Sequence, residues 1–499
     1  MACLLFVMGF LFWEWQVLDQ SLSGVSESLF FILLLAITFV YMHYKGIKQN
    51  KKSLLMLGVA ILGALPFVLN GSRDINMLLL LFEGCACLLW VAYSCKTVIA
   101  PYLSGFIAGD LLNQVFIVPF ANFGRIFGCI TQSAQGDNKN GRRVWVAIVI
   151  ALAGLFVSVP VIILVLTLLA NSDDGFNAFL QNIGGAIDLG RLFTYALEFV
   201  GGIPIACYVF GAIYGNVHRR RSETIRYEPM VASFNKAHRL PRMALYAPLV
   251  CLIIIYVSYF IVMGSYLFSA LAGELPASYT YAQYARQGFF ELCGVAFINL
   301  LILGFAYLVA KRGAGSLPVP LRIFTGVISL LTCLLIITAA SKMMLYIQTY
   351  GLSPLRLYTS WFMLLLLITF LILLVWHLKP FNAARPLVAV TIAMILILGL
   401  TNTNGIIAQY NVNRYLSGQT RIMDADMLSR LSDAALPALY ELRDKAPDAW
   451  AREDAENAID VIWGMWNYML GNPDERDEWF NWNLQYHLAN MAKQQANSS

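Results

Sequence analysis

Residues 386–405 of this 499-residue chain read PLVAVTIAMILILGLTNTNG, and they contain the change of composition that decides the fold. The apolar run ends at Leu400, and the segment that follows, 401–499, is polar, acidic and rich in tryptophan. Apolar runs of comparable length recur before it, from the N-terminus onward. Because about 20 consecutive apolar residues suffice for a transmembrane helix, the sequence predicts an all-α protein, with a membrane domain over 1–400 and a soluble helical domain over 401–499.

The composition excludes an ordinary soluble protein. Hydrophobic residues make up 59% of the chain and charged residues only 13%, with a mean hydropathy of +0.66, whereas soluble domains average about 45–50% and about 25%. The formal net charge is a modest +5. The basic residues cluster in short loops and are not interleaved with aromatic residues, which indicates membrane orientation and speaks against a nucleic-acid partner.

Eleven segments have the composition of membrane spans, and together they define a polytopic protein whose main partner is the lipid bilayer. The first is short and the last has weakly apolar edges. They lie near 1–15, 28–44, 53–70, 75–95, 144–170, 192–215, 244–272, 289–310, 323–345, 357–377 and 386–401.

The loops between these segments predict the orientation of the membrane domain. One set of alternating loops carries 21 Lys and Arg residues, and the opposite set carries 5. Since positively charged loops stay in the cytoplasm, the sequence predicts a cytoplasmic N-terminus and, with an odd number of spans, an exoplasmic C-terminal domain.

Two cytoplasmic connections are longer than turns. Apolar residues recur every three or four positions in 101–130, which is typical of an amphipathic helix at the membrane interface. The loop 216–242 contains Arg219, Arg220 and Arg221 in succession. These three residues either anchor the preceding span against anionic lipid or bind a specific lipid headgroup.

Two carboxylates fall inside predicted spans, and each needs a protein, water or cationic partner because a lipid-facing charge is costly. Glu83 lies in the fourth span and Glu198 in the sixth. Glu198 is followed by Gly201, Gly202 and Pro204, a pattern that can interrupt a helix as in transporters. The hypothesis is an outward-facing polar cavity at these residues; the alternative is a kinked helix with a structural glutamate.

The segment 401–499 has helical apolar spacing over 424–434, 435–444, 450–470 and 474–491. It contains five of the eleven tryptophans. In so small a domain we expect them to form the core; the alternative is an aromatic surface that binds sugar or docks on the bilayer. They are Trp450, Trp463, Trp466, Trp479 and Trp482.

Three sequence motifs carry a family resemblance. They are SYTYAQYARQGFFEL at 278–292, IAQYNVNRYL at 407–416 and EWFNWNL at 478–484. This set resembles a bacterial membrane-protein family catalogued as domain of unknown function 4173, which is related to family 4153. The resemblance covers about 200–499 and implies a multi-pass protein of the bacterial inner membrane with a small exoplasmic tail, but it implies no activity.

The motifs and the charged outer ends of the spans together mark a candidate exoplasmic site. Its residues are Tyr281, Tyr284, Arg286, Glu291, Lys342, Tyr410, Asn411 and Arg414. Common nucleotide, zinc and serine-hydrolase motifs are missing from the sequence, and the five histidines are scattered, so we expect no metal and no cofactor.

Three classes of function stay open from the sequence. A transporter or a protein that handles lipid or solute would use Glu83, Glu198 and the following glycines. A scaffold or sensor would need only the exoplasmic tail, with an envelope protein as its partner. A glycosyltransferase-like enzyme would need exoplasmic acids, for which Glu14 and Asp19 are the early candidates.

Overall fold

The fold is taken from a computed structural model, and all of its described elements are helical. It describes residues 1–13, 24–70, 75–99, 105–129, 189–222, 242–272, 289–310, 318–379, 381–421, 423–470 and 482–498, together with single positions at 154, 158, 162, 165 and 169.

The helices of the apolar part follow the predicted spans closely. Eight helical segments of the described residues are long and apolar enough to cross a membrane, and a ninth results if one bent pair counts as a single span. The helices are α1 (Ala2–Trp13), α2 (Val25–Tyr44), α3 (Lys51–Ala64), α4 (Pro66–Leu69), α5 (Asn76–Cys95), α6 (Ile107–Leu112), α7 (Val118–Ala121), α8 (Leu189–Val217), α9 (Arg242–Ala272), α10 (Phe289–Val309), α11 (Val319–Tyr350), α12 (Pro354–Leu378) and α13 (Ala384–Leu400).

Three of the eleven predicted spans are not among these eight segments. The first is the helix α1, whose 12 residues are too few to cross a bilayer by themselves. The fifth, at 144–170, lies almost entirely outside the described residues. The last is α13, which is followed after a 63° bend by α14 (Thr403–Leu416).

Contacts between helix ends define two ends of the membrane part. At one end, which we call the basic end, Tyr41 Oη of α2 lies 3.0 Å from His218 Nε2 after α8, and Asn50 Nδ2 before α3 donates to Tyr93 O of α5 (3.0 Å). At the other, the tail end, Asn70 Nδ2 donates to Thr401 O after α13 (3.0 Å). Consecutive helices alternate between these ends, as a multi-pass topology requires.

The C-terminal part is a compact helical unit at the tail end. It contains α14 followed by α15 (Ala425–Ser429), a 3₁₀ turn (Ser432–Ala435), α16 (Leu436–Lys445), α17 (Ala449–Leu470) and α18 (Leu484–Ser498). Its core is built from leucine, alanine and isoleucine side chains on these helices. The expected tryptophan core is wrong for the residues that can be described, because Trp450 and Trp482 are exposed and Trp463 is half-buried. Trp466 and Trp479 lie outside the described side chains.

Alanine explains why the tail needs no large aromatic core. Ala451, Ala455 and Ala458 lie on one face of α17 at helical spacing and are buried. Small side chains let α16 and α17 approach closely, and leucines of α16 complete the core on this side of α17.

The tail is fastened to the membrane part at two places. Asn411 on α14 bonds both backbone groups of Leu352, in the turn between α11 and α12. Near α18, Gln485 Nε2 donates to Leu69 O (2.9 Å), and Val25 N at the start of α2 donates to Trp482 O (3.0 Å). The tail therefore contacts several spans at their tail ends.

Candidate functional site

An apolar cavity lies within the first half of the membrane part. Its volume is about 670 Å³, within the roughly 300–1,000 Å³ of small-molecule sites. Residues of α2, α5, α7 and α8 form most of its wall, including Phe31, Trp90, Phe120 and Tyr208. The wall is almost entirely apolar, so this cavity differs from the outward-facing polar cavity that the sequence analysis predicted.

The cavity opens sideways where α5 and α7 border it. Met77 and Leu81 on α5 and Phe120 on α7 line the cavity and are also exposed. Exposed apolar side chains thus border the opening, and they are suited to an apolar environment such as the hydrocarbon of a bilayer.

Basic residues gather at the basic end of the same four helices. Lys45 caps the C-terminus of α2 and Lys96 caps that of α5, while Arg125 follows α7 by one turn. Three arginines follow α8 directly. All six are exposed, and we call them the basic cluster: Lys45, Lys96, Arg125, Arg219, Arg220 and Arg221.

Two residues of the basic cluster, Lys45 after α2 and Arg220 after α8, both lie close enough to His218 to affect its charge. Burial lowers the pKa of His218 below its ordinary value of 6.5, and the positive charges of Lys45 and Arg220 lower it further. A histidine that loses its proton more readily because of cations from two helices reports a local positive potential. That potential is suited to an anionic group.

A set of buried carboxamides fixes the shape of the arginine loop. Asn122 Nδ2 donates to Arg220 O (2.9 Å), and Asn113 Nδ2 donates to Ser222 O (2.8 Å). Both amides are almost completely buried. Asn113 begins a π-helical turn, 113–117, a feature frequent at functional sites. The loop is therefore held by the same segment, 107–123, that contributes Val115, Phe120 and Phe123 to the cavity wall.

Asn216 extends this network to α5. Its Nδ2 donates to Gln114 Oε1 (2.7 Å), and its Oδ1 accepts from the Thr97 hydroxyl. Because these side chains are buried, their hydrogen bonds are strong constraints on the relative placement of α5, α8 and the π-helical turn. The backbone that carries Arg220 is thus fixed relative to α5 and the π-helical turn.

Glu83 lies beside the cavity and faces away from it. Its side chain is completely buried, and its Oε1 accepts a bond from Cys87 Sγ (3.4 Å), a residue of the cavity wall. Its Oε2 lies against Gly63 of α3, where an added Cβ would come within 2.2 Å of it, and it has no hydrogen-bond partner among the described residues. Glu83 is consequently packed between α3 and α5.

The stretch from Gly201 to Pro204 does not interrupt its helix. The helix α8 runs from Leu189 to Val217 with Pro204 inside it, so of the two alternatives that the sequence left open, the interrupted helix is not found. Gly202 instead meets Gly9 of α1, since a Cβ on Gly202 would lie 2.6 Å from the Gly9 carbonyl carbon. The glycines let α1 and α8 touch at their backbones, and neighbouring helices accommodate the proline.

The structure separates the members of the predicted intramembrane site. Glu198 is buried on α8, toward the tail end, whereas Glu83 contacts α3 and its own helix. Pro204 lines the cavity, whereas Gly202 faces α1.

The candidate exoplasmic residues fall into two groups. Glu291 on α10 attracts Lys342 on α11 electrostatically, while Tyr281, Tyr284 and Arg286 lie outside the described residues.

The second group, on α14, fastens the tail. Arg414 donates to the carbonyls of Ile347 (3.0 Å) and Gln348 and stacks over the Tyr410 ring. Together with Asn411 it holds the turn after α11, which gives these residues a structural role at the base of the tail.

The residues of the cavity wall were not predicted from the sequence. The available signal was the small-residue run Gly84, Cys85, Ala86 and Cys87 in an otherwise bulky helix. Small side chains there leave the space that the neighbouring aromatic residues border. Without the positions of α2 and α8, that run indicates only close packing.

Comparison with known proteins identifies a family and no closer relative. A family model described as a domain of unknown function (DUF4153) matches residues 29–442. This is the relative of the family that the three motifs resemble, and the match covers most of the membrane part and the start of the tail. No curated protein and no solved structure matches the chain.

Proposed function

This protein belongs to the DUF4153 family, a domain of unknown function, and we propose that it binds an anionic membrane lipid. The lipid's hydrocarbon chain occupies the apolar cavity, and its headgroup lies on the basic cluster. The observation that carries the proposal is the coincidence of the two features: the four helices that form most of the cavity wall, α2, α5, α7 and α8, are each followed within four residues by a residue of the basic cluster.

The energetics of the two parts are complementary. Each methylene that leaves water for an apolar site contributes about 0.8 kcal/mol, although transfer from a bilayer contributes less. Each basic residue near an anionic surface contributes about 1 kcal/mol. The headgroup therefore supplies selectivity among lipids, and the cavity selects the chain.

The proposal includes an orientation and a location. The 21 to 5 distribution of basic residues favours a cytoplasmic basic end and an exoplasmic tail in the inner membrane of a bacterium. The direction of α1 supports this, because Gly9 pairs with Gly202 and Phe10 with Tyr195, so Met1 points toward the basic end.

The first test fills the cavity. Gly84 lines the cavity, and a Cβ there would meet no atom within 4 Å. We expect Gly84→Phe to reduce the anionic lipid that copurifies in mild detergent, measured by mass spectrometry of extracted lipid. Gly58→Phe is the matched control, because Gly58 on α3 has equally open surroundings and lies outside the cavity. Equal lipid content in the two variants would contradict the cavity assignment.

The second test removes the charge. The triple variant Arg219→Gln, Arg220→Gln, Arg221→Gln should lose at most about 3 kcal/mol of the free energy of binding to an anionic lipid. This loss corresponds to roughly 100-fold weaker binding. The control removes three exposed lysines elsewhere at the basic end, Lys48, Lys51 and Lys379. If both triple variants bind phosphatidylglycerol equally well, the headgroup does not lie on the arginines.

A scaffold or sensor role for the tail is a second candidate. Val461 and Met465 are exposed one turn apart on α17, and such an apolar strip on a rigidly fastened domain suits an envelope-protein partner. Loss of a crosslinked partner in a Val461→Ser, Met465→Ser variant would support it. The enzyme hypothesis depends on Glu14 and Asp19, which lie outside the described residues.

A further inference from the structure

The cavity is longer than one leaflet of a bilayer. Its wall on α5 extends from Met77, near the tail end, to Val91, near the basic end. A helix rises about 1.5 Å per residue, so this wall is roughly 21 Å long. Half of a hydrocarbon core is about 15 Å. A chain that starts at the basic cluster and fills the cavity therefore passes the middle of the bilayer.

The volume of the cavity restricts the kind of chain. A dry cavity of about 150 Å³ holds one benzene, or roughly 25 Å³ per carbon. At that density a volume of about 670 Å³ holds on the order of 25 carbons. A carbon–carbon bond of about 1.5 Å advances an extended chain by roughly 1.3 Å, so one straight chain over the cavity's length contains about 16 carbons.

Two straight chains exceed the cavity, and one leaves much of it empty. Two chains of this length contain about 32 carbons, which is more than the roughly 25 carbons that the cavity holds. One chain leaves space for about nine more carbons. An isoprenoid chain carries one methyl branch for every four backbone carbons, which brings the same length to about 20 carbons. Branching thus fills the cavity best.

Resting on the proposed function, we infer that the lipid is a single-chain isoprenoid phosphate longer than one leaflet, and not a two-chain phospholipid. A single phosphate suits a compact cluster of arginines, which bind phosphate oxygens through paired N–H groups.

The experiment compares four lipids on the full-length protein in one detergent, by native mass spectrometry. The probes are a long polyisoprenyl phosphate, farnesyl phosphate, the long polyisoprenol without phosphate, and phosphatidylglycerol. Each additional buried methylene strengthens binding up to about fourfold. We expect the long phosphate to bind at least about tenfold more tightly than each of the other three, and Gly84→Phe to remove most of its advantage over farnesyl phosphate. Gly58→Phe should keep that advantage.

The outcomes separate this inference from the proposed function. Phosphatidylglycerol that binds as tightly as the long phosphate, with both weakened by the arginine variant, overturns the isoprenoid inference and leaves the lipid site standing. Equal affinity for the long polyisoprenyl phosphate and for farnesyl phosphate also overturns it, because the cavity is then not selective for chain length. Failure of all phosphorylated lipids to bind overturns both. The comparison among lipids needs only the natural sequence, so it holds even if Gly84→Phe does not fold.

Discussion

Replacement of Asn411 by alanine should loosen the tail from the membrane part. Asn411 is buried on α14, where its Oδ1 accepts from Leu352 N (2.9 Å) and its Nδ2 donates to Leu352 O (2.7 Å). Leu352 follows Gly351, whose positive φ of 77° forms the turn and whose added Cβ would lie 2.2 Å from Asn411 Oδ1. The amide therefore satisfies both backbone groups of a buried turn residue.

The size of the effect follows from those two bonds. A buried backbone group left without its partner costs about 1–3 kcal/mol. Two such groups give about 3 kcal/mol if the turn relaxes partly. Since about 1.4 kcal/mol is a factor of ten, the population in which α14 is detached from the turn rises roughly 100-fold.

Hydrogen exchange of backbone amides measures this population directly. We expect amides of 347–357 and 403–416 to exchange roughly 100-fold faster in Asn411→Ala than in the natural protein. Asn413→Ala is the control, because Asn413 is the same residue type on the same helix and is exposed. Both substitutions gain the same helix propensity, and each removes one bond within the helix, from Asn411 Nδ2 to Ile407 O (3.0 Å) or from Gln409 Nε2 to Asn413 Oδ1 (3.0 Å). The difference between the variants therefore reports mainly the bonds to Leu352.

Equal exchange in the two variants would refute the reasoning. It would mean that the bonds to Leu352 do not hold the tail, and that the apolar contacts of α14 suffice. Faster exchange confined to α18 would place the weak point at the Gln485 contact with Leu69 instead.

Two other perturbations test separate features of the fold. Gly202→Ala places a Cβ against the Gly9 backbone. The overpacking costs about 3 kcal/mol and outweighs the gain in helix propensity of about 1 kcal/mol, so the melting temperature in detergent should fall. Gly58→Ala is the control and should not lower the melting temperature, because Gly58 has open space around it. In the tail, a hydrogen bond from Lys445 and another from Gln409 lower the pKa of Glu441 below 4.5. The pKa of Glu441 is therefore higher in the unfolded chain than in the folded protein. The two hydrogen bonds stabilise the folded state fully above about pH 4.5, and this stabilisation is lost as the pH falls through the lower pKa of the folded state. Glu441→Gln should therefore cost up to about 1 kcal/mol at neutral pH and little in strong acid, and a difference in melting temperature that does not shrink with falling pH would contradict this assignment.

The sequence predicted the helices well, because a span is a local property of about 20 residues. The segment predicted at 357–377 is helical over Pro354–Leu378, and the apolar run that ends at Leu400 is α13. Local composition decides these boundaries, so no partner helix is needed to find them.

The errors concern contacts between distant residues. A glycine pair followed by proline favours a helix break in isolation, and only the position of Gly9, far away in sequence, shows why Gly202 is small. The tryptophan core was wrong for a similar reason: the buried alanines of α17 need the leucines of α16 opposite them. The cavity is a gap between four segments, and a gap leaves no periodic pattern in any one of them.

The contact between Gly9 and Gly202 has a consequence for the order of events during synthesis. The helix α1 is synthesised before its main partner, α8, which follows about 190 residues later. At roughly 5–20 residues per second, that interval is about 10–40 s. During that interval α1 lacks its main partner, although α2 is already available to it. The helices α3 and α5 can pack together before α8 is made, whereas the packing of α1 is completed only after α8 has been synthesised, and the interval is long enough for an insertion factor or a chaperone to hold α1.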